Sequence, residues 1–229
     1  MVMKNSFRRV GMTGNMSFVV GSPRMAVLLA MALAMASVLQ LPAPAQASDP
    51  ELTTDFFLPA GTNKSTITGD YFTDQSLRSG AGLAPPAKFA IKRVNSESFP
   101  ALTGLGVSTA LLEYLPGGIN TLHTHPRGTE ALTVLKGTLT VGLIDSTNKL
   151  YTKVLKKYDV FVFPKGLVHY QINLSKHTVI AYAAFSSSNP GTISLPANLF
   201  GSAIADVVLQ TAFKVPLSVI DELRAPFET

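Results

Sequence analysis

The chain has 229 residues, 46% of them hydrophobic and only 14% charged, which is enough apolar material for one sizeable core. A formal charge of +5 invites a nucleic-acid reading, but Lys4, Arg8, Arg9 and Arg24 all fall in the first 47 residues, which hold no acid. Setting those four aside from the 19 basic residues leaves 15 against 14 acidic ones, a balance of about +1 that excludes a basic nucleic-acid surface, and the absence of cysteine excludes disulfides and thiolate chemistry.

Residues 25–41 are apolar throughout, follow Arg24, and lead into Pro42, Pro44 and Ala45-Gln46-Ala47. A basic start, an apolar run and small residues at the −3 and −1 positions predict a secretory signal peptide over 1–47, cleaved after Ala47. The run falls short of the ~20 residues a spanning helix takes, so an uncleaved anchor is the weaker reading and the mature chain is expected to carry no membrane span. Residues 48–87 read as a loop-rich N-terminal extension. Asn63-Lys64-Ser65 is a glycosylation sequon in a polar loop, and a secreted chain would present Asn63 to a glycan.

From Lys88 the pattern turns to β. Short runs rich in Val, Ile, Leu, Thr and aromatics predict strands at 89–94, 107–114, 121–125, 131–135, 139–144, 151–155, 160–163, 168–174 and 179–185. Turn signals such as Pro116-Gly117-Gly118 and Asp145-Ser146-Thr147-Asn148 separate them. Many short strands at this spacing predict an all-β sandwich or barrel over 88–190. After Asn189-Pro190-Gly191 the period changes. Ile204, Val207, Val208, Thr211 and Ala212 share one helical face with Ser202 as N-cap, and Pro216 opens a second short helix through Val219, Ile220 and Leu223. Residues 191–229 are thus a helical segment.

The chemistry concentrates in His123-Thr124-His125-Pro126-Arg127-Gly128-Thr129-Glu130, with a further histidine at His169. A single histidine reads first as a surface or satisfied core residue; the spacing is what makes these different. Side chains two apart on a strand point the same way, so His123 and His125 can reach one ion. Pro126 and Gly128 break the strand, and Glu130 opens the next run aimed back at the same point.

Gly117, His123, His125, Glu130 and Gly137 in this spacing, followed by the run from Tyr158 to His169 and by Asn173, resemble the two signature motifs of the cupin superfamily. The wording HTHPRGTE, VFVFPKGLVHYQIN, SSSNPG and LFGS is similar to the germins and germin-like proteins of plants, from about Asp55 to Leu223. The resemblance implies a single cupin jelly-roll β-barrel with short C-terminal α-helices that clasp a neighbouring subunit. The product would be a homo-oligomer, a hexamer built as a trimer of dimers. It also implies secretion to the apoplast, with cell-wall association. The chain departs from the family in three places: Phe56-Phe57-Leu58 stands where the first of two cysteines is expected, Tyr158 where the motif has Gly, and Ala110 where oxalate-oxidising germins have asparagine.

Three imidazoles and a carboxylate without thiolate disfavour a closed structural zinc site and suit an octahedral first-row ion with two open positions. Ligand type alone permits iron, manganese, nickel, zinc or copper; the resemblance selects one Mn2+ per chain, held by His123, His125, Glu130 and His169. Asn120 and Asn173 are candidate pocket residues around a small-molecule substrate. The family implies superoxide dismutation, releasing hydrogen peroxide, or oxalate oxidation. Ala110 makes oxalate the weaker substrate, since an amide donor is missing. A metal-holding wall or ligand-binding protein without catalysis is the reading of a different class.

Overall fold

The computed structural model describes residues 49–228; the expected signal peptide lies outside them. Strand alternation decides what is buried. In β2 (Ser108–Tyr114) and β9 (Val179–Phe185) every second residue is buried, and β4 (Glu130–Lys136) does the same over its first five residues. These strands lie side by side in one antiparallel sheet, ordered β1-β2-β9-β4-β7, where β1 is Phe89–Val94 and β7 is Val160–Phe163. The second antiparallel sheet runs β10-β3-β8-β5-β6, with β3 at Ile119–Thr124, β5 at Leu139–Ile144, β6 at Leu150–Leu155, β8 at Val168–Ile172 and β10 at Ile193–Ser194. The inward faces of both sheets interdigitate in one core of Leu112, Tyr114, Leu132, Val134, Leu139, Val141, Phe163, Val179 and their neighbours. Each such large side chain contributes about 1.5–3 kcal/mol on burial. The chain is all-β with short C-terminal helices, two antiparallel sheets packed as a jelly roll.

The ladder begins and ends differently from the sequence reading in a few places. β3 starts two residues earlier and ends at Thr124, before His125; β8 stops at Ile172, two residues short of the expected 174. A two-residue strand, β10, and a helix, α1 (Leu195–Phe200), open the expected helical segment ahead of the two helices that the sequence pattern marks.

The expected cap at Ser202 is not formed. Helix α2 (Asp206–Phe213) begins later, after Ala205, and the Ser202 hydroxyl is buried without a partner among the described residues. The reason lies in α3 (Leu217–Arg224). Arg224 donates through Nη1 to Ser202 O at 3.0 Å and through Nη2 to Ile204 O, holding 202–204 out of the helix. The expected apolar face of α2 is turned outward: Val207 is 66% and Val208 54% exposed, while Leu209 is buried.

The N-terminal extension carries three 3₁₀ turns, Lys64–Thr66, Gly69–Phe72 and Ser76–Ser79. Phe56, in the stretch where a cysteine was expected, packs edge-on to Phe72 at 5.0 Å and tilted to Tyr71 at 6.3 Å. Tyr71 Oη donates to Phe57 O at 2.5 Å. Further along, the Asp49 carboxylate accepts from Ser187 Oγ and Ser188 N, and Glu113 accepts from Ala81 N, fastening the extension to the barrel.

Candidate metal centre

β3 pairs with β8 so that His123 and His169 are direct neighbours, after a register shift between Asn120 and His123. His125 follows the strand end and keeps the parity of His123; their rings meet edge-on at 5.1 Å. Glu130 opens β4 in the other sheet, opposite Phe163 on β7 and Phe185 on β9, so the cluster bridges both sheets. All four residues are buried, and one donor atom from each lies within 4.8 Å of the others.

The backbone fixes how each imidazole faces. His123 Nδ1 lies 2.7 Å from Thr121 O, His125 Nδ1 2.5 Å from Gly191 O, and His169 Nδ1 2.8 Å from Leu167 O. A carbonyl oxygen only accepts, so each Nδ1 carries the hydrogen and each Nε2 is turned to the cluster centre; this tautomer is assigned from the partners. Gly191 serves at φ +67, and a Cβ there would meet the Arg127 guanidinium at 2.9 Å. Phe163 stacks on His169 at 4.4 Å and Phe185 meets His125 edge-on at 4.9 Å, so aromatic walls lock two of the rings.

Electrostatics follow from burial. Desolvation, then the neighbouring His169, push His123 down to about 4, so its Nε2 is a free lone pair at neutral pH. Burial raises Glu130, but the hydrogen bonds that His125 and His169 make to it when a proton rather than an ion lies at their Nε2 atoms outweigh it and hold the carboxyl at about 2. Glu130 Oε2 sits 3.0 Å from His125 Nε2 and 3.3 Å from His169 Nε2. Convergent lone pairs and a carboxylate, with the rings pinned from behind, fit a divalent cation.

Asn120 belongs to this neighbourhood. Its Nδ2 is 3.4 Å from His123 Nε2 and donates to Gln171 Oε1 at 2.8 Å. Gln171 is fully buried, and its Nε2 has no partner among the described residues. It was missed in the sequence, although standing two after His169 on one strand was the signal. Asn173, next on the same parity, turns away: its Nδ2 donates to Tyr114 O and His177 O, and its Oδ1 accepts from Ser175 N and Oγ. It closes a loop and lines no part of the cluster. Asn63 is exposed, its Oδ1 accepting from Ser65 N and Oγ.

Residues 84–220 match a family model described as Cupin. Germin-like protein 9-3 of Oryza sativa subsp. japonica is 43% identical over 184 residues, spanning 78% of this chain and 86% of that protein. Germin-like protein 1-1 of the same organism is 40% identical over 213 residues, spanning 88% of this chain and 99% of that protein. A solved oxalate oxidase in complex with the substrate analogue glycolate superposes with a TM-score of 0.73 at 34% identity, over 78% of this chain and 98% of that one.

Proposed function

Because the chain belongs to the germin-like proteins of the cupin family, we propose that it is a secreted manganese protein that dismutes superoxide and releases hydrogen peroxide. The observation that carries this is the tautomer of three buried imidazoles, each pinned at Nδ1 so that Nε2 faces Glu130. His123, His125, Glu130 and His169 would hold the ion. Manganese rather than another first-row ion rests on the family resemblance, since the donor set admits several. Bound there, it would supply one-electron chemistry by changing oxidation state. The protein's part is to orient the donors, to exclude bulk water with Phe163 and Phe185, and to offer the Asn120 amide beside His123.

Oxalate oxidation is the second reading, supported by the 34% identical oxalate oxidase. Against it, Ala110 is fully buried on the inward face of β2 and brings a methyl group where an amide was needed. The remaining parts of the reading have their own support. The outward apolar face of α2, Val207 and Val208 above all, suits helices that clasp a neighbouring subunit in a trimer of dimers. Secretion to the apoplast rests on the 1–47 signal, and among the described residues no helix is long and apolar enough to cross a membrane. Asn63 is exposed, which suits a glycan there.

The test is superoxide dismutation by the secreted, manganese-loaded protein beside a His169→Ala variant. Activity in the first and none in the second supports the reading. A protein holding one manganese per chain that turns over no superoxide sinks it, and leaves either oxalate oxidation, read as peroxide released on adding oxalate, or a metal-holding wall protein without catalysis.

A further inference from the structure

Asp49 reaches the loop that aims one of the metal ligands. It is the second residue after the expected cleavage at Ala47, in a stretch that would ordinarily fray. Here it is tied down. Its Oδ1 accepts from Ser187 Oγ at 2.8 Å and its Oδ2 from Ser188 N at 2.6 Å. Leu52, three residues on, packs over Gly104 of the β1–β2 connection, where a Cβ would meet it at 2.7 Å. Burial raises Asp49, but hydrogen bonds from Ser188 and Ser187 outweigh it and hold the carboxyl below its ordinary value, so it is a charged acceptor at neutral pH. Ser187 and Ser188 are buried, and without Asp49 their donors would be left unpaired.

The orientation passes along the loop. Ser187 Oγ turns its hydrogen to the carboxylate, which leaves a lone pair for Asn189 N at 3.2 Å. Residues 187–189 are thus oriented from one carboxylate. The carbonyls that follow face the segment of His125: Asn189 O accepts from Arg127 Nε at 2.8 Å, Pro190 O from Arg127 N at 3.1 Å, and Gly191 O from His125 Nδ1 at 2.5 Å. The other two ligand imidazoles are aimed locally, His123 by Thr121 O and His169 by Leu167 O, each two residues back. His125 instead takes its carbonyl from a residue 66 positions away. Its direction therefore depends on where the 187–191 loop lies.

We propose that Asp49 is a positioning residue for the metal centre: through Ser187, Ser188 and the loop to Gly191, the start of the mature chain aims His125 Nε2 at the ion. The inference deepens the metal-protein reading and rests on it for the ion, not for the reaction. It makes metal retention depend on an intact mature N-terminus, since a chain shortened to Pro50 loses the same contacts.

The test is manganese titration of the full mature protein followed by electron paramagnetic resonance. Wild type is compared with Asp49→Ala, with Asp49→Asn, and with Phe56→Ala, which loosens the extension at its contact with Tyr71 and Phe72 instead. The expected result is manganese held about threefold to tenfold more weakly in D49A, with a changed resonance of the bound ion as the His125 ring is released. D49N, which keeps one accepting oxygen, should fall between, and F56A should match wild type in affinity and spectrum. Should D49A fail to fold, D49N and Ser187→Ala, each retaining one of the two contacts, carry the same comparison. Wild-type affinity in D49A, a loss of affinity with an unchanged resonance, or an equal loss in F56A overturns the proposal. No superoxide enters the measurement, so the D49A shift in a protein that dismutes none would uphold the positioning role while the dismutase reading fell.

Discussion

His123 and His169 face each other across the β3–β8 ladder with ring centroids 4.1 Å apart, inclined at 52°. Burial first and the neighbouring His169 second drive His123 down to about 4. The pair is arranged for lone pairs directed at an ion. Glu130 supplies the compensating negative charge from the opposite sheet.

The metal-stripped protein is therefore expected to lose stability with acid in two stages. An unfolded histidine titrates near 6.5 and folded His123 near 4, so between those values the unfolded chain binds a proton that the folded chain refuses, and stability falls as pH falls. Glu130, held at about 2 against an ordinary 4.5, contributes stability that is full above 4.5 and is lost as pH falls toward 2. Each stage is on the order of 3 kcal/mol. Urea unfolding of metal-free protein at steps from pH 7.5 to about 2 measures both. His123→Gln should flatten the upper stage; an unaltered slope there contradicts the assignment.

Gln171 holds Asn120 beside His123 through one hydrogen bond while its own Nε2 has no described partner. Gln171→Leu should lower manganese affinity about tenfold by releasing Asn120 from its place next to a ligand ring. Stability should change little, because losing the Asn120 hydrogen bond is offset by removing a buried Nε2 that has no partner among the described residues. Metal titration followed by electron paramagnetic resonance, with thermal unfolding of the apo protein alongside, separates the two effects. Equal affinity in both proteins would remove Gln171 from the site.

What was legible in the sequence followed from strand parity. His123 and His125 share an inward face because residues two apart must, His169 was legible only through the second family motif, and Pro126 before Glu130 marked the turn between the sheets. Parity failed at Asn173 because β8 ends at Ile172 and the next residue joins a loop. It had nothing to work on at β10, which is two residues long, or at α1, a six-residue helix with no full amphipathic repeat. The Ser202 cap failed because a distant residue, Arg224, takes the local carbonyls.

Tyr158 stands at φ +73 where the family motif carries Gly, with its amide donating to Val134 O at 2.7 Å and its ring exposed under Lys157 Nζ. The left-handed conformation costs a residue with a Cβ about 1–2 kcal/mol, and the exposed ring offers little burial in return. Tyr158→Gly should therefore stabilise the fold by about 1 kcal/mol after the flexibility of glycine in the unfolded chain is counted. A rise in Tm at unchanged metal content is the expected reading. A fall would mean that the Lys157–Tyr158 contact outweighs the backbone strain.

With no cysteine in the chain, the extension needs another fastening, and Phe56, Tyr71 and Phe72 provide it as a cluster of rings 5.0 to 6.3 Å apart. Aromatic pairs of this kind contribute about 0.5–1.5 kcal/mol beyond their burial, and the Tyr71 hydrogen bond to Phe57 O adds about 1 kcal/mol. Phe56→Ala removes two ring contacts and the surface over which Lys64 lies. The extension should then open locally while the barrel stays folded, because the core strands share none of these rings. Limited proteolysis should cut the variant within 56–72 at least several-fold faster than wild type, with the manganese content of the barrel unaltered. Tyr71→Phe, which keeps the ring and loses only the hydroxyl, should fall between the two. If both variants resist protease as wild type does, the contacts of Asp49 and Ala81 hold the extension and the aromatic cluster is dispensable.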